Sequence, residues 1–409
     1  MQVVRCPRVL PKCRGSAAGA TYLVRGRTSG WPALGAADAR LIGEESGDYS
    51  GSAVALVHDP GGDGYDDLLV GAYMSRAAGT AAGAVYLIPG PVSGDLDLGD
   101  VGFRITGVLA GDVLGSSVAD AGDADDDGRA DLLLGTPMAG GLGGAWFVPG
   151  PVTASFCVAD IGLLLQGEAS NDRAGTSVAG AGDVDGDGID DLVIGAYLNA
   201  TRDLAAGAAY VVLGPVASFL ALAESDARLQ GAAAQDYAGW SVAGAGDMDG
   251  DGHDDVIVGA LYEDSGGSDA GAAYVVLGPM TGDVVLDSAD LRLFGEAATD
   301  SAGSAVAGAS DTNGDGFDDV LIGAKSSDAG GVSSGVAYLI LGPRTGTLDL
   351  SAADAKVVGE AASDQAGTSV STAGDLNGDG SADLLIGAPA HDDGSSDVGA
   401  AYVILGIGL

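Results

Sequence analysis

Apolar residues in this chain come in short bursts set between turns rich in Gly, Asp and Ser. The middle of the chain shows the order of events. Residues 177–182, Ser-Val-Ala-Gly-Ala-Gly, alternate small and apolar side chains, the pattern of a tight inner strand, A. Residues 192–196, Leu-Val-Ile-Gly-Ala, form a continuous apolar run and predict a strand, B, covered on both faces. After a short connection, residues 207–215, Gly-Ala-Ala-Tyr-Val-Val-Leu-Gly-Pro, give a third strand, C, closed by a Gly-Pro turn. Residues 226–231, Asp-Ala-Arg-Leu-Gln-Gly, give a looser outer strand, D. No 3.6-residue periodicity is sustained along the chain, so helices are not expected.

The unit returns with spacings of 64, 60, 64, 64 and 64 residues. A fixed period of that size marks a repeat architecture, in which each unit buries its apolar face against its neighbours. Four meander-connected strands per unit predict the blade of a β-propeller. The expected fold class is therefore all-β, a β-propeller of four-stranded antiparallel blades. Nonapeptide β-rolls, WD and kelch propellers have other periods and signatures. Strands A and B occur six times but strand C seven, the additional copy being residues 19–26. Residues 39–43 read as a D strand without A and B of its own, and the last unit has A, B and C but no D. Pairing 39–43 with the last unit closes six blades; the surplus C strand points instead to a truncated seven-bladed ring. Both arrangements fit, with seven favoured for the parent protein. Residues 1–18 read as an unstructured tail from a start that can be mis-assigned, and residues 19–409 as a single propeller.

Between A and B each unit carries an acidic loop, D-x-D-x-D-G-x-x-D, starting at Asp59, Asp123, Asp183, Asp247, Asp311 and Asp375. Carboxylates at alternate positions around a glycine turn suit a hard cation, above all Ca²⁺, which takes six to eight oxygens. The expected ligands are Asp59, Asp63 and Asp67; Asp123, Asp125, Asp127 and Asp131; and Asp183, Asp185, Asp187 and Asp191. The later loops supply Asp247, Asp249, Asp251 and Asp255; Asp311, Asn313, Asp315 and Asp319; and Asp375, Asn377, Asp379 and Asp383. Position 6 is Gly in all six copies, as a sharp reversal with positive φ requires. Position 7 varies freely (Tyr65, Arg129, Ile189, His253, Phe317, Ser381), as expected of a residue offering only its carbonyl. Position 9 is always Asp. Polar turns that merely cap strand starts are the plainer alternative, strongest in the first loop, where Gly61 replaces the position-3 acid. Position 12 lies inside strand B, which excludes an EF-hand and its bidentate Glu. Up to six structural Ca²⁺ ions are expected, each clamping A to B against carboxylate repulsion. Catalytic metal is not expected, because these sites offer no His ligand.

The net charge is −41, from 17 basic and 58 acidic residues. That balance excludes nucleic acid as a partner, since a basic footprint is what such binding needs. Gly is abundant at 72 residues, yet 46% of the chain is apolar, so the glycines mark turns rather than disorder. Cys6, Cys13 and Cys157 make no disulfide framework or CxxC site. No apolar run is long enough to span a membrane. The first fourteen residues hold four positive charges and no apolar core, so they do not read as a secretory signal; a start further upstream is one explanation, and a cytosolic location is the plainer alternative.

These motifs resemble the FG-GAP repeats of integrin α-subunit propellers and their bacterial relatives. The lead-in to strand A reads Leu114-Gly115-Ser116-Ser117-Val118, Ala174-Gly175-Thr176-Ser177-Val178, Ala238-Gly239-Trp240-Ser241-Val242 and Ala366-Gly367-Thr368-Ser369-Val370. Strand B ends in Gly387-Ala388-Pro389 or Gly135-Thr136-Pro137, but elsewhere in Gly-Ala-Tyr, Gly-Ala-Leu or Gly-Ala-Lys. Ala mostly replaces the family's Phe, and its Pro is often lost. The resemblance covers residues 19–409. It implies Ca²⁺ in the A–B loops and a ligand surface built from the B–C and D–A connections.

An enzyme needs a convergent set of groups that breaks the repeat. His58, His253 and His391 share no repeat position, and the serines of the A lead-ins recur too often to be nucleophiles. No catalytic residue is expected. The reading is a non-enzymatic Ca²⁺-binding propeller, secreted or at the cell surface, that recognises a protein or glycan ligand. An architectural segment of a larger secreted enzyme or surface protein is the alternative. Tyr73, Arg76, Tyr197, Arg202, Tyr262 and Lys325 are the contact candidates, because they sit in B–C connections where the copies diverge. Tyr49, Tyr237 and Trp240 are expected to pack at the core or rim, with the lining of a central pocket as the alternative.

Overall fold

In a computed structural model, residues 2–6, 16–26, 33–392 and 398–406 are described, and they contain seven sheets. The chain divides into two compact units. The first comprises residues 1–180, 189–194 and 213–224; the second comprises 181–188, 195–212 and 225–409.

The first unit holds three sheets. Gln2–Cys6, Ala20–Val24, Ala39–Ile42 and Gly94–Asp97 form one, in that order. The second orders Val54–Val57, Asp67–Ala72, Ala84–Ile88, Phe103–Thr106 and Phe156–Cys157 from inner to outer edge. The third repeats this with Val118–Gly122, Asp131–Gly135, Gly144–Val148, Leu163–Gln166 and Leu220–Ala221. The fourth sheet is built from Ser177–Gly182, Asp191–Ala196, Ala208–Val212, Ala227–Gln230 and Gly282–Val285. Within the second unit lie Ala238–Gly246, Asp255–Ala260, Ala272–Val276, Leu291–Phe294 and Gly346–Asp349; then Ala302–Ser310, Asp319–Ala324, Val336–Ile340 and Ala355–Val358. The last sheet is Ser369–Gly374, Asp383–Ala388 and Ala400–Ile404.

The meander A–B–C–D is antiparallel throughout, as the apolar pattern predicts. Two expectations need correction. The blades are not strictly four-stranded: they hold three to five strands. The segment between C and D of one repeat adds in parallel to the D strand of the preceding sheet, as Gly94–Asp97 does to Ala39–Ile42. A D strand alone would leave a row of unpaired backbone groups on its outer edge, and the fifth strand satisfies them. The second correction concerns the ends. Ala39–Ile42 does not complete the last sheet; it pairs antiparallel with Ala20–Val24, and the surplus C strand thereby gains its own D. Six closed blades are excluded by seven separate sheets. Within the expected tail, Gln2–Cys6 runs antiparallel to Ala20–Val24.

Strands B and C are the core, with Leu68, Leu133, Val193, Ile257 and Leu321 all at or near zero exposure. The glycine of the A lead-in has a steric reason. Gly239 sits at φ +78°, and a Cβ there would lie 2.1 Å from the Ala208 carbonyl oxygen. No helix among the described residues is long and apolar enough to cross a membrane.

Candidate metal centres

Each A–B loop is a turn organised by its first aspartate. In the third loop the Asp183 carboxylate accepts from the backbone N–H groups of Gly186, Asp187 and Gly188 at 2.8, 3.0 and 2.9 Å. The same bonds recur from Gly250, Asp251 and Gly252 to Asp247, and from Gly378, Asp379 and Gly380 to Asp375. Gly314, Asp315 and Gly316 donate likewise to Asp311, and against the opposing cost of burial such backbone donors hold the Asp311 and Asp375 carboxyls below the usual carboxylate range. The position-6 glycines, Gly64, Gly128, Gly188, Gly252, Gly316 and Gly380, have φ between +84° and +92°.

The turn brings carboxylates together. One oxygen each of Asp123, Asp125 and Asp127 lie within 4.8 Å of one another, as do those of Asp247, Asp249 and Asp251, and Asp183 and Asp185 belong to a third such group. In the fifth and sixth loops position 3 is Asn. Its amide donates to the position-5 carboxylate, Asn313 to Asp315 at 2.9 Å and Asn377 to Asp379 at 2.8 Å. There the amide already meets part of the negative charge. In the first loop Asp59 accepts from Asp63 and Gly64, with Gly61 contributing no side chain.

The position-9 aspartates do something the motif did not announce. Each is buried, and one oxygen accepts from the backbone N–H that ends strand C: Gly90 to Asp67, Gly150 to Asp131, Gly214 to Asp191, Gly278 to Asp255, Gly342 to Asp319 and Gly406 to Asp383, at 2.7–3.0 Å. The other oxygen accepts from position 2 of its own loop in Ala124, Met248, Thr312 and Leu376. Burial, then the neighbouring Asp125 and Asp127, push the Asp131 carboxyl up to about 7 against its two N–H donors. Burial with Asp249 and Asp247 does the same for Asp255.

The donor set fits a hard cation. It consists of oxygens only, converging from positions 1, 3 and 5, beside a buried carboxylate whose charge the neighbouring carboxylates oppose. A divalent ion would relieve that repulsion, and in the second loop Asp123, Asp125 and Asp127 would hold it.

Three further features escaped the sequence reading. Position 8 is Asp in four loops, and three of these carboxylates bind the loop before: Asp190 accepts from Asp123 N–H at 2.8 Å, Asp254 from Asp183 at 2.9 Å, and Asp318 from Asp247 at 3.0 Å. A second acidic series, Asp48, Asp112, Asp172, Asp236, Asp300 and Asp364, is buried in the D–A turns. Four of its members close the turn by accepting from Leu109, Ala169, Ala233 and Ala361. Its signal was a D-x-x-G at the repeat period, lost in an acid-rich background. The third is an aromatic cluster in the second unit: Tyr197 lies 5.6 Å from Tyr237 and 4.9 Å from Trp240, Tyr237 lies 5.3 Å from Tyr262, and the Lys325 ammonium stands 5.7 Å over Trp240.

That cluster joins three of the contact candidates, Tyr197, Tyr262 and Lys325. Arg202 donates instead to the Ala232 carbonyl, and Tyr73 stacks on Tyr49 at 5.7 Å. Arg76 lies near Gly47. The histidines do not converge: His58 meets Asp66 at 2.9 Å, His253 packs on Gly186, and His391 meets Asp364 at 3.2 Å.

Comparison with known proteins agrees with this geometry. The FG-GAP repeat family matches residues 50–88, 174–212, 238–276, 302–340 and 366–404. Integrin alpha-IIb of Homo sapiens is 37% identical over 164 residues, 39% of this chain and 16% of that protein. Integrin alpha-PS2 of Drosophila melanogaster is 30% identical over 182 residues, 40% of this chain and 12% of its own length. Integrin alpha pat-2 of Caenorhabditis elegans is 30% identical over 236 residues, 54% of this chain and 18% of that protein. The similar stretch thus spans less than a fifth of each relative.

Proposed function

Since this chain is built of FG-GAP repeats in an integrin-α-like β-propeller fold, we propose that it is a Ca²⁺-stabilised extracellular adhesion or recognition module. The FG-GAP propeller is a non-catalytic structural and adhesion module. The observation that carries the metal reading is the convergence of Asp123, Asp125 and Asp127, and of Asp247, Asp249 and Asp251, on one point each. Residues 19–409 act as one functional domain in this reading, with Ca²⁺ in up to six loops, Asp59 to Asp67 and the Asn-bearing fifth and sixth being the weaker sites.

The ion is structural. It neutralises loop carboxylates and stiffens the A–B turn, while Asp131 and its equivalents tie that turn to the end of strand C. Extracellular Ca²⁺ modules bind with Kd of roughly 10⁻⁴–10⁻³ M, which extracellular rather than cytosolic calcium fills. Ligand contact belongs to Tyr197, Tyr237, Trp240 and Tyr262, a cluster of rings fit to pack against a protein or glycan. Excess Ca²⁺ added after EDTA should raise Tm by several degrees, and calorimetric titration should give several sites lost in stages by Asp125→Asn and Asp249→Asn. A melting curve indifferent to EDTA and Ca²⁺ would remove the metal from the reading. A glycan and protein array separates recognition from a purely architectural role: binding abolished by Trp240→Ala supports recognition, and silence across the array supports the architectural segment.

A further inference from the structure

Six acidic loops make five junctions, and their residues divide them three to two. Position 8 of the later loop is Asp190, Asp254 or Asp318 at three junctions, and Ala130 or Ala382 at the other two. The residue just ahead of the earlier loop's first aspartate divides the same way. It is Gly122, Gly182 or Gly246 where position 8 is Asp, and His58 or Ser310 where position 8 is Ala. The carboxylate explains the glycine. Gly182 and Gly246 stand at φ +76° and +71°, and a Cβ there would lie 2.0 Å from Asp254 Oδ2 and 2.1 Å from Asp318 Oδ2. Ser310 takes the same left-handed backbone at φ +53°, so the turn alone does not demand glycine.

The contact runs both ways. The Asp318 carboxylate accepts from the Asp247 N–H at 3.0 Å, and the Asp318 N–H donates to the Asp247 carbonyl at 3.2 Å. Asp254 makes the same pair with Asp183, at 2.9 and 3.0 Å. At the Ala382 junction only the backbone half is present, from the Ala382 N–H to the Asp311 carbonyl at 3.3 Å. Position 7 adds a second contact. Phe317 covers Gly250 and His253 covers Gly186, so closely that a Cβ on the glycine would lie 2.6 or 2.5 Å from a ring carbon. Each later loop therefore rests on the turn of the loop before.

We propose that Asp254 and Asp318 are positioning residues that link divalent-ion occupancy of the third, fourth and fifth loops, while the fifth and sixth load independently. This link rests on the Ca²⁺ reading. Asp247 organises the fourth loop and is one of its three converging carboxylates. Asp318 stands between Phe317, at the position expected to offer its carbonyl, and Asp319, strapped to Thr312 and Gly342. An ion that fixes residues 317–319 therefore fixes the Asp318 carboxylate, and with it the backbone of Asp247. A filled loop pre-orders the first ligand of the loop before it, so the ordering entropy is met once for both. By thermodynamic reciprocity the earlier loop favours the later one equally.

Hydrogen exchange of the whole chain, read by mass spectrometry over residues 247–255 and 311–319 as Ca²⁺ replaces EDTA, follows the two loops separately. Asp315→Asn removes an exposed ligand from the fifth loop and should raise the Ca²⁺ midpoint of the fourth about tenfold. On an Asp318→Ala background the same substitution should leave the fourth-loop midpoint where that background sets it. Asp318→Asn, whose amide oxygen can still accept from Asp247, should restore the link. Asp379→Asn removes the same charge across the Ala382 junction and should leave the fifth-loop midpoint in place. A fourth-loop midpoint indifferent to Asp315→Asn overturns the proposal. An equal shift with and without the Asp318 carboxylate also overturns it, since bulk charge then accounts for the effect. Where Asp318→Ala does not fold, the contrast between Asp315→Asn and Asp379→Asn decides. If Ca²⁺ protects no loop, the metal reading falls and the link with it; protection at independent midpoints overturns the link and leaves the metal reading standing.

Discussion

Gly188 stands at φ +91° with open space where a Cβ would be, so Gly188→Ala isolates the backbone cost of the loop reversal. In EDTA it should lower stability by about 1–2 kcal/mol, read from urea unfolding. Gln365 is the converse, an exposed non-glycine residue at φ +57° beside the buried Asp364. Gln365→Gly should stabilise by about 1 kcal/mol on the same measurement, less what Gly adds to unfolded-chain entropy. Asp236 titrates where it can be seen. Burial pushes its carboxyl up to about 6, opposed by the Ala233 N–H and reinforced by Glu263. The folded state therefore holds that proton more tightly than the unfolded chain, whose Asp titrates near ~3.9. The resulting stability is complete below the unfolded pKa and vanishes as pH rises through about 6. Asp236→Asn should flatten Tm against pH across that window, and an unchanged slope would assign the pH dependence elsewhere.

At the scale of the strand pair, the position-9 aspartate is a strap before it is a ligand. Asp255 accepts from Met248 at 2.9 Å and from Gly278 at 2.9 Å, so Asp255→Ala strands one buried and one half-buried N–H group. The expected loss is about 2–4 kcal/mol with or without Ca²⁺. Asp251→Asn, at the exposed rim of the same loop, should cost little in EDTA and remove stability only when Ca²⁺ is present. Equal losses in both conditions for both variants would refute the division of roles. How much of this was readable is plain from the loop itself. Positions 1, 3, 5, 6 and 9 stood out because a tight acidic turn constrains residues close in sequence. Position 8 did not, because the Asp190 carboxylate serves Asp123, 67 residues away. The D-x-x-G aspartates were equally visible as letters, but their burial in the turn depends on strands that a linear reading does not assemble.

Across the whole molecule, a charge of −41 is a destabilising field that ions reduce. Added NaCl should raise Tm in EDTA, where the loop carboxylates repel one another unaided, and should raise it less once Ca²⁺ is bound. A salt response independent of Ca²⁺ would place the repulsion outside the loops.

The repeat period, the A–B–C–D order and the acidic turns were determined by the chain alone, because alternation, apolar runs and glycine turns act over a few residues. The tertiary structure decided the rest. It gave Ala20–Val24 the D strand Ala39–Ile42 and added parallel fifth strands. Strand periodicity says which face a residue takes but not which edge it meets, and edges are matched only when distant segments compete for the same backbone hydrogen bonds.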